Sequence, residues 1–277
     1  MSDFTFEGLI GKIDRIDAFE SKFVIPRRVD IWTPPTYAED LSQRFKVLYM
    51  HDGENVFDAS NSKWSHTDWG IDETVTRLMA ENKIQPTMVV AMWSTDIRVA
   101  EYMPQGLPHT PAYTGLVRMV NRWVSTEICS DNYLRFIIEE LKPFVDANYR
   151  TLPGQQDTSI MGSSMGGLIS MYAICEYPRV FGAAACVSTH FPIGRGIALK
   201  YLQGHLPDPA THKFYFDYGT KTLDKNYEKY QKRADAILAS YGYRQPENWT
   251  TQKFEGHEHS EVYWRKRVHI PLEFLLK

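Results

Sequence analysis

Five short segments of this chain are apolar almost throughout, and stretches of helical periodicity separate them. Phe45–His51 (FKVLYMH), Met88–Trp93 (MVVAMW), Ser159–Met161 leading into Gly162, Ala183–Ser188 (AAACVS) and Phe214–Tyr218 (FYFDY) are each strand-length. A strand solvated on one face alternates apolar with polar residues; one covered on both faces has no reason to. In Asp131–Ala147, the residues Leu134, Ile137, Ile138, Leu141, Phe144 and Val145 fall on one helix face, and Lys225–Tyr241 carries a second stripe before Gly242. Strands alternating with helices imply βαβ crossovers, hence an α/β fold with a doubly wound, mainly parallel sheet and helices on both faces. Phe23–Trp32 alternates more and is expected to begin an antiparallel edge. Ligands of such sheets bind beyond the carboxyl ends of the strands, so that is where chemistry is expected.

The 277 residues contain no internal repeat, low-complexity tract or Gly/Ser linker, and a single domain over 1–277 is expected. Residues 103–128 break the alternation, with Pro104, Gly106, Pro108 and Pro111 among several aromatics. A long irregular connection of apolar character reads as a packed lid or substrate loop.

Composition narrows the function classes. The chain is 43% hydrophobic and 23% charged, with a formal net charge of -3 and scattered basic residues, so it has no electrostatic footprint for nucleic acid. Short basic clusters such as Arg265–Lys266–Arg267 read as solvated helix faces. The first residues lack the basic and apolar regions of a secretory signal, and no apolar run is long enough for a membrane span. Cys129, Cys175 and Cys186 are odd in number and unpatterned, two of them in apolar segments. These features lead us to expect a reduced, cytoplasmic setting and no membrane partner. Nothing in the sequence speaks to oligomeric state.

Gly162-Ser163-Ser164-Met165-Gly166-Gly167 follows one of the apolar strands and precedes the helical run Leu168–Cys175. A G-x-S-x-G motif in that context is the nucleophile elbow of the α/β-hydrolase fold, which projects a serine above the sheet on a sharp strand-to-helix turn. Ser164 is the candidate nucleophile. The N–H of Met165, at the positive end of the following helix, points toward a developing oxyanion. Serine needs a base oriented by a third group, in the chain order serine, acid, histidine. His259, in Gly256-His257-Glu258-His259-Ser260-Glu261 just before the last helical run, is the candidate base, with His257 as rival and His269 placed on a helix surface. The segment FYFDYGTKTLD offers two acids. Asp224, in the loop, is preferred, with helix capping as its alternative role; Asp217, near the strand end, is the other candidate. After the first apolar strand comes His51-Asp52-Gly53-Glu54-Asn55, where this fold supplies its second oxyanion N–H. Glu54 is the expected donor, and Gly53 lets the backbone approach substrate.

Taken together, YMHDGENVFD, GSSMGG, DYGTKTLD and GHEHSEVYW resemble the putative-esterase family of α/β-hydrolases. That family includes enterochelin-esterase-like enzymes, esterase D-type S-formylglutathione hydrolases, feruloyl and acetylxylan esterases, and mycolyltransferases. The resemblance runs from SKFVIPRRVDIWTPP to the C-terminus and leans toward the enterochelin-esterase branch. It implies Ser164 as nucleophile, His259 rather than His257 as base, the Glu54 and Met165 amides as oxyanion donors, and Asp224 as acid. Some members carry a glutamate where this chain has Thr222, and some siderophore esterases are thought to use only a Ser–His pair. The implied activity is that of a serine carboxylesterase working through an acyl-enzyme on aryl, siderophore or sugar-linked esters, with a small-molecule ester as its partner and no cofactor.

Substrate contacts are assigned to Gly53, Asn55, His190, Arg98 and Tyr102. His190 follows a strand at its carboxyl end, and Arg98 either grips a substrate carboxylate or pairs with Glu101. Trp69 and Trp93 are read chiefly as core. Three other readings compete: acyl transfer on the same site, a metal site built on His257-x-His259, and a non-catalytic binding protein on a hydrolase fold.

Overall fold

The computed structural model describes residues 1–62, 65–108, 110–124 and 126–277. Its sheet has nine strands: β1 (Ser2–Phe4), β2 (Lys12–Phe19), β3 (Arg27–Thr33), β4 (Lys46–His51), β5 (Thr87–Met92), β6 (Thr158–Ser163), β7 (Ala183–Val187), β8 (Lys213–Gly219) and β9 (Trp249–Phe254). The spatial order is β1-β2-β3-β5-β4-β6-β7-β8-β9. The strands β1 to β3 run antiparallel to their neighbours, and every pairing from β5 to β9 is parallel. This is the α/β-hydrolase arrangement expected from the alternation of apolar and helical segments.

The unbroken apolar strands serve two cores. Val47 and Tyr49 of β4 enter one, and Leu48 and Met50 enter the other, on the opposite face. Met88 and Val90 of β5 likewise separate from Val89 and Ala91. One face is covered by the helices Met165–Glu176 and Ile197–His205 with the segment Ser130–Asn148. The helices Ile71–Ala80, Glu261–Arg267 and His269–Leu276 cover the other. No helix among the described residues is long and apolar enough to cross a membrane.

Chain order reverses at β4, because β5 lies on one side of it and β6 on the other. Loops leaving the carboxyl ends of strands at such a reversal diverge and leave a crevice. The turn at Asp52 follows β4, and Ser164 follows β6. Both therefore open into that crevice.

The structure departs from the sequence expectations in four places. The strand within Phe23–Trp32 is antiparallel but internal, because β1 and β2 pair outside it. The weakly apolar β2 and polar β9 (WTTQKF) escaped notice since they lie toward the sheet edges, where much of their surface is solvated. Asp131–Ala147 is not one α-helix: a π-helical turn over Phe136–Leu141 joins Ser130–Arg135 to Lys142–Asn148. Pro143 has no N–H for the α-type bond to Glu139, and the register widens just before it. Finally, the irregular segment 103–128 contains a helix, Pro111–Val124; its His109 and Ser125 lie outside the described residues.

Candidate active site

Ser164 adopts φ 58°, ψ -117°, a conformation that costs a non-glycine residue about 1–3 kcal/mol. The surrounding backbone holds it there. The Ser164 N–H donates to Val187 O at 2.9 Å, and its carbonyl accepts from His190 N at 3.1 Å and Leu168 N at 3.2 Å. Ser164 is partly exposed while its neighbours in the elbow are buried. Met165 heads the helix Met165–Glu176, so its N–H has no intrahelical acceptor.

Beyond β8 and β9 the structure brings His259 and Asp224 together. His259 Nδ1 lies 2.6 Å from Asp224 Oδ1, which places the Nδ1 proton on that bond and leaves Nε2 as the basic nitrogen. The other carboxylate oxygen, Oδ2, accepts from the Gly219 N–H at 2.7 Å and the Ser188 hydroxyl at 2.7 Å. Burial pushes the Asp224 carboxyl up, but the bond and charge of His259, with these two donors, outweigh it and hold the carboxyl below its usual range. Asp224 does not cap the following helix, which starts at Glu228. The loop approach is close: a Cβ at Gly219 would lie 2.3 Å from the His257 carbonyl oxygen, so a side chain there would separate the two loops. Thr222 Oγ1 accepts from the His259 N–H at 2.8 Å, which ties His259 to the loop that carries Asp224.

The rivals are occupied elsewhere. Asp217 is fully buried and forked by Arg267 at 2.9 and 3.1 Å, with Tyr215 Oη at 3.0 Å. His257 stacks on Phe254 and lies 3.2 Å from Arg267. His269 begins the last helix and is only partly buried. Arg267 corrects the reading of its basic cluster as a solvated face. It is 2% exposed, because Asp217 gives it a buried partner that the local sequence does not reveal.

Ser188 went unrecognised in the sequence. It is fully buried at φ 42°, and its Oγ receives the Trp264 indole N–H at 3.1 Å and an Arg267 N–H at 3.0 Å. With both acceptor positions filled, the single hydroxyl proton is directed to Asp224. A serine closing an apolar strand gives no local sign of this role.

The turn after β4 is equally constrained. Asp52 is left-handed at φ 57°, ψ 51° and leads into a 3₁₀ turn over Gly53–Asn55. Arg98 grips its carboxylate through Nε at 2.5 Å and a second nitrogen at 2.7 Å. Arg98 thus pairs with Asp52 and not with Glu101, which is bound by Arg27. The Glu54 carboxylate accepts from the N–H and hydroxyl of Ser94 and so turns into the scaffold. A Cβ on Gly53 would sit 2.7 Å from the Trp93 ring and 2.9 Å from the β5 backbone. Gly53→Ala is therefore expected to push the turn away from the crevice and lower kcat about 10²–10³-fold, the cost of a displaced oxyanion donor. Steady-state kinetics on p-nitrophenyl butyrate, with KM changed little, would check it.

Of the assigned contact residues, Tyr102 is fully buried, its Oη 3.3 Å from the Asp52 N–H, so it supports the turn and does not face substrate. Gly53 and Asn55 are buried as well. His190 is only partly buried. Its Nδ1 lies 2.5 Å from Tyr227 Oη, and the Tyr227 ring packs edge-on against His259 at 5.7 Å. A continuous run of contacts therefore leads from the Ser164 carbonyl through His190 and Tyr227 to His259. Trp69 stacks on Trp264, and Trp93 donates to Asp30 at 2.8 Å; both are structural. Among the described residues, no group of three or more His, Cys, Asp or Glu side chains is arranged to hold a metal ion.

Burial pushes His190 down to about 4 and His51, beneath the turn, down to about 3, from the usual 6.5. Between these values and 6.5 the unfolded chain holds more protons, so stability falls as pH falls. The thermal midpoint is expected to drop on acidification below about 6.5, less steeply in His51→Gln; calorimetry across that range checks it.

A sharp strand-to-helix turn at Ser164 after β6, with an aspartate–histidine pair beyond β8 and β9, is the arrangement of an α/β-hydrolase. A model of the family described as putative esterase matches residues 23–269, and the chain belongs to that family. It is accordingly a carboxylic ester hydrolase. The uncharacterized protein YbbA of Bacillus subtilis (strain 168) is 22% identical over 255 residues, which cover 90% of this chain and 92% of YbbA. An IroE-like serine hydrolase from Shewanella oneidensis superposes with a TM-score of 0.68 at 17% identity, covering 95% of this chain and 80% of that one. The enterobactin esterase FES from Shigella flexneri, determined in the presence of enterobactin, gives 0.66 at 19%, covering 95% and 58%. At these identities the structural likeness is one of fold.

Proposed function

We propose that this chain is a serine carboxylesterase that works through an acyl-enzyme at Ser164. The observation that carries the reading is the 2.6 Å Asp224–His259 bond, at the same carboxyl end of the sheet as a serine held at strained backbone angles. His259 Nε2 takes the Ser164 hydroxyl proton as Oγ attacks the ester carbonyl, and the Glu54 and Met165 N–H groups receive the oxyanion. His259 then protonates the leaving alcohol, and water activated by the same nitrogen releases the acid. Asp224 holds the imidazole in the required tautomer and is itself held by Ser188 and Gly219. His190, neutral at physiological pH, and the exposed part of Arg98 flank the leaving or acyl group.

We assign 1–277 to a single catalytic domain, with 103–128 as the lid over its crevice. The substrate class is an ester with an aryl, siderophore or sugar-linked component, a reading supported by the family and by the fold relative determined in the presence of enterobactin. A fluorophosphonate reagent tests the nucleophile directly. Intact-protein mass spectrometry should show one adduct, and peptide mapping should place it on Ser164. Labelling elsewhere, or none while ester hydrolysis proceeds, removes the acyl-enzyme reading.

A further inference from the structure

A large cavity of about 910 Å³ lies at the end of the sheet opposite Ser164. Lys46, Ala183 and Lys213, the first residues of β4, β7 and β8, form part of its wall. Ser164 instead follows the last residue of β6. The length of the parallel strands, about 20 Å for six residues, therefore separates the cavity from the esterase crevice.

Its charge is unbalanced. Lys46, Lys213, Arg244 and Lys277 line it against Asp157 and Glu247. Asp157 is already paired with Lys46 at 3.3 Å. Among the described residues, Lys213, Arg244 and Lys277 have no ion-pair partner. Lys213 is partly buried, and burial together with the Lys46 and Lys277 ammonium groups pushes its pKa down. Arg244 and Lys277 are exposed, and Lys213 is more buried than either in the same wall. Neutral groups in the wall are occupied with one another: Gln155 Nε2 meets Thr211 O and His212, and Asn248 donates to Pro209 O. Cationic groups that outnumber the acids of the same wall repel one another, and an anion that joins them relieves that repulsion.

We propose that this cavity binds a small polyanion that carries at least two negative charges on phosphate or carboxylate oxygens. Such a ligand bridges Lys213 and Lys277 and relieves their mutual repulsion more fully than a singly charged ion does. The volume is that of a metabolite site.

The test is isothermal titration of the whole chain with pyrophosphate and, separately, with citrate, at constant ionic strength. Saturable one-to-one binding with Kd below about 1 mM is expected for at least one of them. Pyrophosphate alone would point to a phosphorylated ligand, and citrate alone to a polycarboxylate. Lys213→Gln and Lys277→Gln should each weaken binding about tenfold, as loss of a charged contact does, while Lys213→Arg retains it. All three should leave ester hydrolysis unchanged, and Ser164→Ala should bind the anion like wild type, which keeps this inference separate from the esterase reading. Absence of saturable heat from both probes, or equal affinity in wild type and Lys213→Gln, overturns it.

Discussion

Ser164→Ala is expected to lower kcat on p-nitrophenyl acetate and butyrate by about 10⁴–10⁶-fold, the largest effect of any single change in this chain. In the proposed mechanism this variant lacks the oxygen that forms the acyl bond. The rest of the site remains, so weak residual turnover from the oxyanion donors and bound water is expected above the uncatalysed rate. Folding should not suffer. Ser164 holds φ 58° through backbone bonds from Val187, His190 and Leu168, none of which uses its side chain. A variant with a wild-type melting curve and no turnover would locate the deficit in chemistry. A variant with an undiminished rate would mean that another group attacks the ester. His259→Ala should fall by a similar factor, and the double variant scarcely further, because the two act as one unit.

The second large effect separates two aspartates only seven positions apart. Asp224→Asn should lower kcat about 10³–10⁴-fold, because an amide can offer N–H in place of the acceptor that fixes His259 Nδ1–H, and the imidazole loses its working tautomer. Melting should move little, since Ser188 and Gly219 can still donate to the amide oxygen. Asp217→Asn should do the reverse. It strips the partner from an Arg267 guanidinium that is 2% exposed, and an orphaned buried charge costs about 3–5 kcal/mol. Thermal melting and kcat measured on both variants give a crossed pattern. Loss of catalysis in Asp217→Asn with melting intact would reverse the assignment of the acid.

Much of the scaffold was legible because its signals are local. Strands such as KVLYMH and TMVVAM bury every residue, and a strand with no solvated face keeps its few polar residues at its ends. The elbow could be read from five residues because a sharp strand-to-helix turn admits few side chains. The edge strand β9 was invisible for the converse reason: with four of six residues at least partly solvated, its composition resembles a loop. The π-helical turn at Phe136–Leu141 was hidden as well, because the apolar stripe persists through it while the hydrogen-bond register changes.

The sequence by itself determined the α/β alternation, the serine at the elbow, the turn around Gly53 and a histidine before the last helices. These depend on residues within a few positions of one another, where steric limits and periodicity act directly. Only the tertiary structure decided which acid faces His259, that Arg98 holds Asp52 rather than Glu101, and that Ser188 and Arg267 stand behind the acid–histidine pair. Those pairings join residues 35 to 79 positions apart. A buried charge or hydroxyl finds its partner through the folded register of β7, β8 and the C-terminal helices, and no local pattern in the chain records that choice.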